Sequence, residues 1–151
     1  MIIAVACDHG GFPLKAKVIE TVRAAGHEAL DLGTYSTDPV DYPDMAAAAG
    51  RAVLDGRATR GIILCGSGVG AAVAANKLVG IRSGVCHDVY SAHQAVEHDD
   101  MNVLALGARV IGDELAADLV KTFLAAQYTG APRHVRRLAK VAALEREGRS
   151  A

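Results

Sequence analysis

The amino-acid sequence predicts an α/β fold with a parallel β-sheet covered by helices on both faces. Short apolar segments alternate along the chain with longer segments whose apolar residues recur at helical spacing, which is typical of a parallel sheet. The apolar segments do not alternate with polar residues, as expected for strands that are buried on both faces. The chain has 151 residues, and we predict a single domain over residues 1–151.

The strands are predicted by five short apolar runs, each bounded by glycine or by turn-forming residues. The first run, for example, is followed by Asp8, His9 and two glycines, a combination that favours a turn. In chain order, the predicted strands are residues 2–7, 28–32, 61–64, 81–86 and 102–106.

The helices are predicted by helical spacing of apolar residues together with end signals. Gly26 is expected to end the first helix, because glycine readily adopts the left-handed conformation found there. Asp44 and Asp113 are expected to cap the helices that follow them, and Pro132 suits the first turn of the last helix. In chain order, the predicted helices are residues 14–25, 46–54, 71–77, 90–97, 114–127 and 132–147.

Composition argues against several classes of partner. The formal net charge is −1 at pH 7, so no overall field favours nucleic acid or an anionic membrane. The first apolar run is too short for a membrane span or a secretory leader. Three cysteines without a CxxC pair indicate reduced thiols and a cytoplasmic protein. The spacing of Cys and His predicts no metal site.

A glycine-rich turn, Cys65 to Gly70, separates the third predicted strand from a helix. Glycines at alternate positions allow a tight turn whose N–H groups point in one direction and can hold an anion. A cysteine beside such a turn can act as a thiolate base on a carbon next to a carbonyl. Ser67 can add a hydroxyl donor, and the N–H groups can stabilise an enediolate.

Two alternatives to this interpretation remain open from the turn alone. A cysteine at a strand end is most often a small buried hydrophobic residue. Residues 66–71 also satisfy the G-x-G-x-x-A pattern of dinucleotide-binding proteins, with Asp88 after the next strand near the place of a ribose-binding acid. The pattern occurs here at the third strand–helix turn rather than the first, which weakens it.

Polar residues elsewhere supply candidates for sugar and phosphate contacts, each with a structural alternative. Asp8 and His9 can contact hydroxyls and phosphate, or Asp8 can simply form the turn. His98 can move a proton during ring opening, or lie at a solvated helix end. Arg133 and Arg137 share one helix face and can bind a phosphate, or form a solvated charged surface. No role is predicted for His27, His87 and His93.

Taken together, the motifs resemble the ribose-5-phosphate isomerase type B family, which includes allose-6-phosphate and galactose-6-phosphate isomerases. The resemblance extends in order over nearly the whole chain. It implies a Rossmann-like three-layer sandwich with a five-stranded parallel sheet and a C-terminal helix reaching toward a partner subunit. It also implies a homodimer or homotetramer with active sites between subunits, and neither metal nor cofactor. The motifs are DHGGF at 8–12, DYP at 41–43, CGSGVG at 65–70, AANK at 74–77, GIR at 80–82, YSA at 90–92, NVLA at 102–105 and GAR at 107–109.

The resemblance also implies roles for individual residues in an aldose–ketose isomerisation of D-ribose 5-phosphate and D-ribulose 5-phosphate. Cys65 is the expected base, and His98 is expected to open the furanose ring. The enediolate oxygens are expected to be held by Ser67 and by the backbone of Gly66, Gly68, Val69 and Gly70. Substrate contacts are expected from Asp8 to ring or hydroxyl oxygens, and from His9, Arg109, Arg133 and Arg137 to phosphate, with His134 as a further candidate.

Two positions bear on chemistry and substrate. One branch of the family uses a glutamate just after the glycine-rich turn, but this chain has Ala71 there, which favours Cys65 as the base. Many relatives have His-Asn where this chain has His98 and Asp99, and an aspartate lacks the amide donor. The alternatives are therefore an isomerase of a related phosphosugar such as D-allose 6-phosphate, a sugar-phosphate-binding module without catalysis, and a dinucleotide-binding module.

Overall fold

The sheet is five-stranded and entirely parallel in a computed structural model that describes residues 1–150. Its strand order is β2–β1–β3–β5–β4, so β1, β3 and β5 are central and β2 and β4 form the edges. This confirms the predicted α/β class. The strands are β1 Ile2–Cys7, β2 Glu28–Asp31, β3 Arg60–Cys65, β4 Ser83–Val85 and β5 Val103–Gly107.

Six helices cover both faces of the sheet and complete the three layers. One buried cluster joins the sheet to α1, α4 and α5, and a second joins the opposite face to α2 and α3. The helices are α1 Phe12–Ala24, α2 Tyr42–Leu54, α3 Val69–Ala75, α4 Val89–Asp99, α5 Asp113–Ala125 and α6 Pro132–Ser150. Within residues 1–150, none of these helices is both long and apolar enough to cross a membrane.

Alternation along β1 explains how one strand serves both layers. Val5 and Cys7 belong to the cluster under α1, α4 and α5, whereas Ala4 and Ala6 belong to the cluster under α2 and α3. Successive side chains of a strand point to opposite faces, so a continuous apolar run fills two cores. Alanine dominates the second cluster, and its small side chain lets α2 and α3 pack close to the sheet.

Helix starts are where the structure differs from the sequence prediction. Asp41, rather than Asp44, precedes α2, and Asp44 lies within its first turn. Gly112 precedes α5, and Asp113 is the first residue of that helix. Both acids still lie where a carboxylate interacts favourably with the helix dipole. The predicted fourth strand, 81–86, is shortened to Ser83–Val85.

The last helix, α6, packs differently from the others. It contributes one buried residue, His134, and its element contacts are with α4. Apolar side chains at Val135, Val141 and Leu144 are exposed along it. Such a helix has an apolar surface that nothing within residues 1–150 covers, in keeping with the predicted reach toward a partner subunit.

Candidate active site

A cleft opens at the carboxyl edge of the three central strands. Because β1, β3 and β5 are neighbours, the residues that follow them meet at one edge, where open α/β sheets bind ligands. The cleft has a volume of about 350 Å³. Its lining residues are Asp8, Tyr42, Cys65, Gly66, Ser67, Gly70, Arg109 and Val110.

Cys65 lies at the end of β3 with its sulfur turned into the glycine-rich turn. The backbone N–H of Gly68 donates to Cys65 Sγ over 3.0 Å. Gly68 has a φ of 83°, a left-handed conformation that glycine adopts at little cost, and this conformation brings its N–H to the sulfur. A donor aimed at sulfur favours the thiolate over the thiol.

The other two cysteines have a different environment. Burial raises the pKa of Cys7 and of Cys86 to about 11 in each case. Both are therefore protonated at neutral pH and lie in the apolar core. Of the three thiols, Cys65 is the one that lines the cleft.

Hydrogen bonding within the turn divides its N–H groups into two sets. The N–H of Val69 donates to Ser67 Oγ over 3.2 Å, which leaves the Ser67 hydroxyl proton free to donate elsewhere. The N–H groups of Gly66, Ser67 and Gly70 donate no hydrogen bond within residues 1–150. These groups and the Ser67 hydroxyl are the available donors for an oxyanion. The Val69 side chain is exposed, and it is not part of the cleft lining.

Asp8 combines the two roles that the sequence left open. Its Oδ1 accepts from the Gly11 N–H over 2.9 Å, so it does form the turn after β1. It also lines the cleft while only 7% exposed. His9 accepts a hydrogen bond from the Val40 N–H at Nδ1, 3.2 Å away. This bond makes Nε2 the protonated nitrogen of the neutral ring, and His9 is outside the cleft lining.

Arg109 reaches the cleft from the turn after β5. Its N–H donates to the Gly66 carbonyl over 3.0 Å, which ties this turn to the glycine-rich turn. A Cβ built at Gly66 would lie 3.3 Å from Arg109 Nη1, so glycine leaves room for the guanidinium. Within residues 1–150, Arg109 makes no ion pair, and its charge is available to a bound anion.

Two residues of this edge received no role from the sequence. Tyr42 begins α2, and its ring packs on Gly70, where an added Cβ would lie 2.9 Å from Tyr42 Cε2. His87 follows β4, and its Nε2 accepts from the Gly107 N–H over 3.0 Å. The DYP motif was a signal for Tyr42. For His87, the signal was its place directly after the fourth predicted strand, at the ligand-binding edge.

A second cluster of predicted site residues lies elsewhere, where α4 ends and α6 begins. The rings of His98 and His134 are stacked, with centroids 4.1 Å apart and 22° between their planes. His134 is 2% exposed, and its Nε2 is buried without a hydrogen-bond partner. Burial, followed by the positive charges of His98, Arg133 and Arg137, lowers the pKa of His134.

The two clusters lie at opposite edges of the sheet within one chain. Cys65 pairs with Gly107 at the carboxyl end of β5, whereas His98 precedes the amino end of the same strand, Val103. A strand of five residues is about 15 Å long. One chain therefore brings together Asp8, the turn residues and Arg109, and separately His98, Asp99, Arg133 and Arg137.

Asp88, the candidate ribose-binding acid of the dinucleotide alternative, has another role. Its side chain accepts from the Ser91 N–H over 2.7 Å and caps α4. Hydrogen bonds from Ser91 lower the pKa of Asp88, so this carboxylate is engaged at the helix start. Residues 1–150 contain no group of three or more His, Cys, Asp or Glu side chains placed to hold a metal ion.

Comparison with known proteins decides the family. A family model described as ribose/galactose isomerase matches residues 3–141. The chain belongs to the ribose/galactose isomerase family. Among its relatives in this family, ribose-5-phosphate isomerase B of Escherichia coli K12 is 46% identical over 143 residues, which is 95% of either chain. The D-erythrulose-4-phosphate isomerase of Pectobacterium atrosepticum is 41% identical over 132 residues, 85% of either chain.

The fold agrees equally well with a solved structure of the ribose/galactose isomerase family. Ribose-5-phosphate isomerase B of Clostridium thermocellum superposes with a TM-score of 0.94 at 43% identity, covering 97% of this chain and 99% of that one. These findings confirm the resemblance inferred from the motifs and identify the chain as an isomerase. They favour neither a dinucleotide-binding module nor a module without catalysis.

Proposed function

We propose that this isomerase interconverts D-ribose 5-phosphate and D-ribulose 5-phosphate through an enediolate, with Cys65 as the base. The observation that carries the proposal is the position of Cys65, which lines the cleft at the end of β3 and accepts the Gly68 N–H. Ala71 is fully buried and carries no carboxylate, so the turn offers no alternative base at that position.

The reaction needs one base and one set of oxyanion donors. In the forward direction the Cys65 thiolate removes the proton from C2, and the C–H electron pair forms the C1–C2 double bond while O1 takes the negative charge. The Ser67 hydroxyl and the N–H groups of Gly66 and Gly70 stabilise this charge. The O2 proton passes to O1, and the Cys65 thiol returns its proton to C1, which leaves the carbonyl at C2 and regenerates the thiolate.

Ring opening is assigned to His98 from a second copy of the chain. A histidine near neutral pKa suits transfer of a proton between the ring oxygen and the anomeric hydroxyl. Because His98 and Cys65 lie at opposite ends of β5, one chain cannot place both on one sugar. A symmetric pair of chains can, since each cleft then receives His98 and Asp99 of the other. We therefore propose a homodimer or homotetramer with the active site between subunits.

The phosphate of the substrate is assigned to arginines and a histidine. Arg133 and Arg137 are exposed, one helical turn apart on α6, and can bind a phosphate from the second copy. Arg109 in the cleft and His9, whose Nε2–H is free to donate, complete the set. Three free buried cysteines fit a cytoplasmic enzyme, and a ribose 5-phosphate substrate places it in the pentose phosphate pathway.

The substrate range includes two further candidates. Asp99 stands where many relatives have an asparagine, so a six-carbon substrate such as D-allose 6-phosphate is the alternative. The Pectobacterium relative is named for a four-carbon substrate. D-Erythrulose 4-phosphate cannot close a furanose ring, because its terminal oxygen is phosphorylated. Its isomerisation would need Cys65 but not the ring-opening histidine.

Turnover of ribose 5-phosphate in the presence of EDTA tests the proposal, with D-allose 6-phosphate and D-erythrulose 4-phosphate assayed in parallel. We expect rapid pentose turnover that EDTA does not affect, and a loss of about a thousandfold or more in Cys65→Ala. Cys86→Ala is the matched control, because it removes a buried thiol outside the cleft. Full activity of Cys65→Ala would refute the assignment of the base, and a wild-type protein inactive on the pentose would refute the substrate.

A further inference from the structure

His87 occupies the place of a missing backbone partner at the carboxyl end of β5. The pairing of β4 with β5 stops at Val85 opposite Ala105. Two residues further along both strands, the imidazole of His87 accepts the Gly107 N–H at Nε2 over 3.0 Å. A side chain thus continues the hydrogen bonding of an edge strand that has already ended.

The residue that His87 holds packs against the turn that carries the proposed chemistry. A Cβ built at Gly107 would lie 2.5 Å from the carbonyl carbon of Ser67, so the two backbones touch with no room for a side chain. Directly after Gly107, the Ala108 N–H donates to the Cys65 carbonyl over 2.9 Å. A shift of Gly107 would therefore be transmitted to Ser67 and Cys65 together.

The contact requires a neutral imidazole. Nε2 can accept a hydrogen bond only while its lone pair is free, which places the ring proton on Nδ1. Burial lowers the pKa of His87 below its ordinary value of 6.5, and no charged neighbour contributes to the shift. The titratable groups on the segments that meet here are Asp88 beside it, Arg109 after β5 and Cys65 after β3.

We propose that His87 is a positioning residue for the isomerisation, acting through Gly107 to set the place of Ser67 and of the oxyanion donors around it. The inference rests on the proposed function of that turn. His87 touches neither substrate nor reacting atoms; it fixes the geometry in which the enediolate is stabilised. Small displacements of such donors reduce turnover without equal loss of binding.

Two substitutions of His87 separate positioning from a general effect on folding. His87→Leu keeps side-chain bulk and removes the acceptor, whereas His87→Gln offers a carbonyl oxygen at about the position of Nε2 and does not titrate. We expect kcat of His87→Leu to fall about tenfold or more with KM changed less than threefold. His87→Gln should recover most of kcat. The matched control is His93→Leu, at an exposed position of α4.

The pH profile adds a readout that a purely structural role would not move. Protonation of His87 removes the acceptor, so wild-type activity at about pH 5 should fall relative to His87→Gln. The sign for stability is the same: a lowered folded-state pKa contributes stability above pH 6.5, lost as pH falls through that pKa. Equal kcat in His87→Leu and wild type, or parallel profiles in wild type and His87→Gln, would overturn the proposal.

Amide hydrogen exchange of Gly107 tests the contact without any assumption about the reaction. Exchange should be faster in His87→Leu than in wild type, and slow again in His87→Gln. An inactive wild-type protein with this exchange pattern would refute the proposed function and leave the positioning contact intact. Unchanged exchange in His87→Leu would refute the contact, whatever the enzyme turns over.

Discussion

Complementation between two inactive variants tests whether the catalytic groups come from different copies of the chain. Cys65→Ala removes the proposed base, and His98→Asn removes the proposed ring-opening group. Each variant alone should lose pentose turnover, by about a hundredfold to ten-thousandfold, the usual contribution of a general acid or base. When the two are unfolded together in equal amounts and refolded, chains of both kinds pair at random.

The recovered activity follows from the separation of Cys65 and His98 along β5. If each site takes Cys65 from one copy and His98 from another, half of the first contributions and half of the second are intact. About one quarter of all sites then carry both groups, a fraction that holds for a dimer and for a dimer of dimers. If instead both groups come from one chain, every site lacks one of them and nothing is recovered.

The assay is the initial rate of ribulose 5-phosphate formation per mole of sites after refolding, referred to wild-type protein refolded in the same way. Controls are each single variant refolded alone and a mixture of Cys86→Ala with His93→Asn, which leaves both proposed groups in place and should return to nearly full activity. A tagged-chain pull-down confirms that the variants have mixed.

Mixed oligomers without activity above the single variants would refute the shared site. In that event His98 would be a helix-end residue of the fold, and its stacking on His134 a packing contact. The reasoning from opposite edges of the sheet would then fail, whereas the role of Cys65 would be judged separately by the turnover of Cys65→Ala.

Three further predictions concern the charged residues. Arg137→Ala should raise KM for ribose 5-phosphate about tenfold or more, because a charge-assisted phosphate contact is lost, with Arg136→Ala nearer wild type in the same steady-state assay. Lys15 Nζ contacts a carboxylate at 2.9 Å and is 7% exposed, so Lys15→Met should lower the free energy of unfolding in urea by about 2 kcal/mol, unlike Lys17→Met at the surface. Arg82 donates to carbonyls at the end of α4, so Arg82→Gln should reduce pentose kcat and lower Tm.

Most of the fold was predictable because its signals are local. Apolar runs without alternation predicted the strands nearly to the residue, as for β1 and β5. Glycines with positive φ, such as Gly26 and Gly56, follow α1 and α2 as expected. The caps were less predictable, since Asp41 and Asp44 are equally plausible from sequence and only the backbone path decides which one starts the helix.

Some of the site could not have been predicted in this way. Tyr42 reaches the cleft because α2 begins beside Gly70, and His87 reaches Gly107 because β4 ends two residues early. Both depend on contacts between segments distant in sequence, for which periodicity and turn signals carry no information. Asp88 shows the converse, since a motif suggested a ligand contact and the backbone uses the carboxylate as a helix cap.

The sequence by itself determined the parallel α/β class, the family and the glycine-rich turn with its cysteine. These properties depend on short-range patterns and on motifs whose order survives in the linear chain. Only the tertiary structure decided which candidates meet. Parallel strands that all run the same way carry Cys65 to one edge of the sheet, while α4 runs back and leaves His98 at the other. This geometry, invisible in the linear order, makes a second copy of the chain necessary for the proposed site.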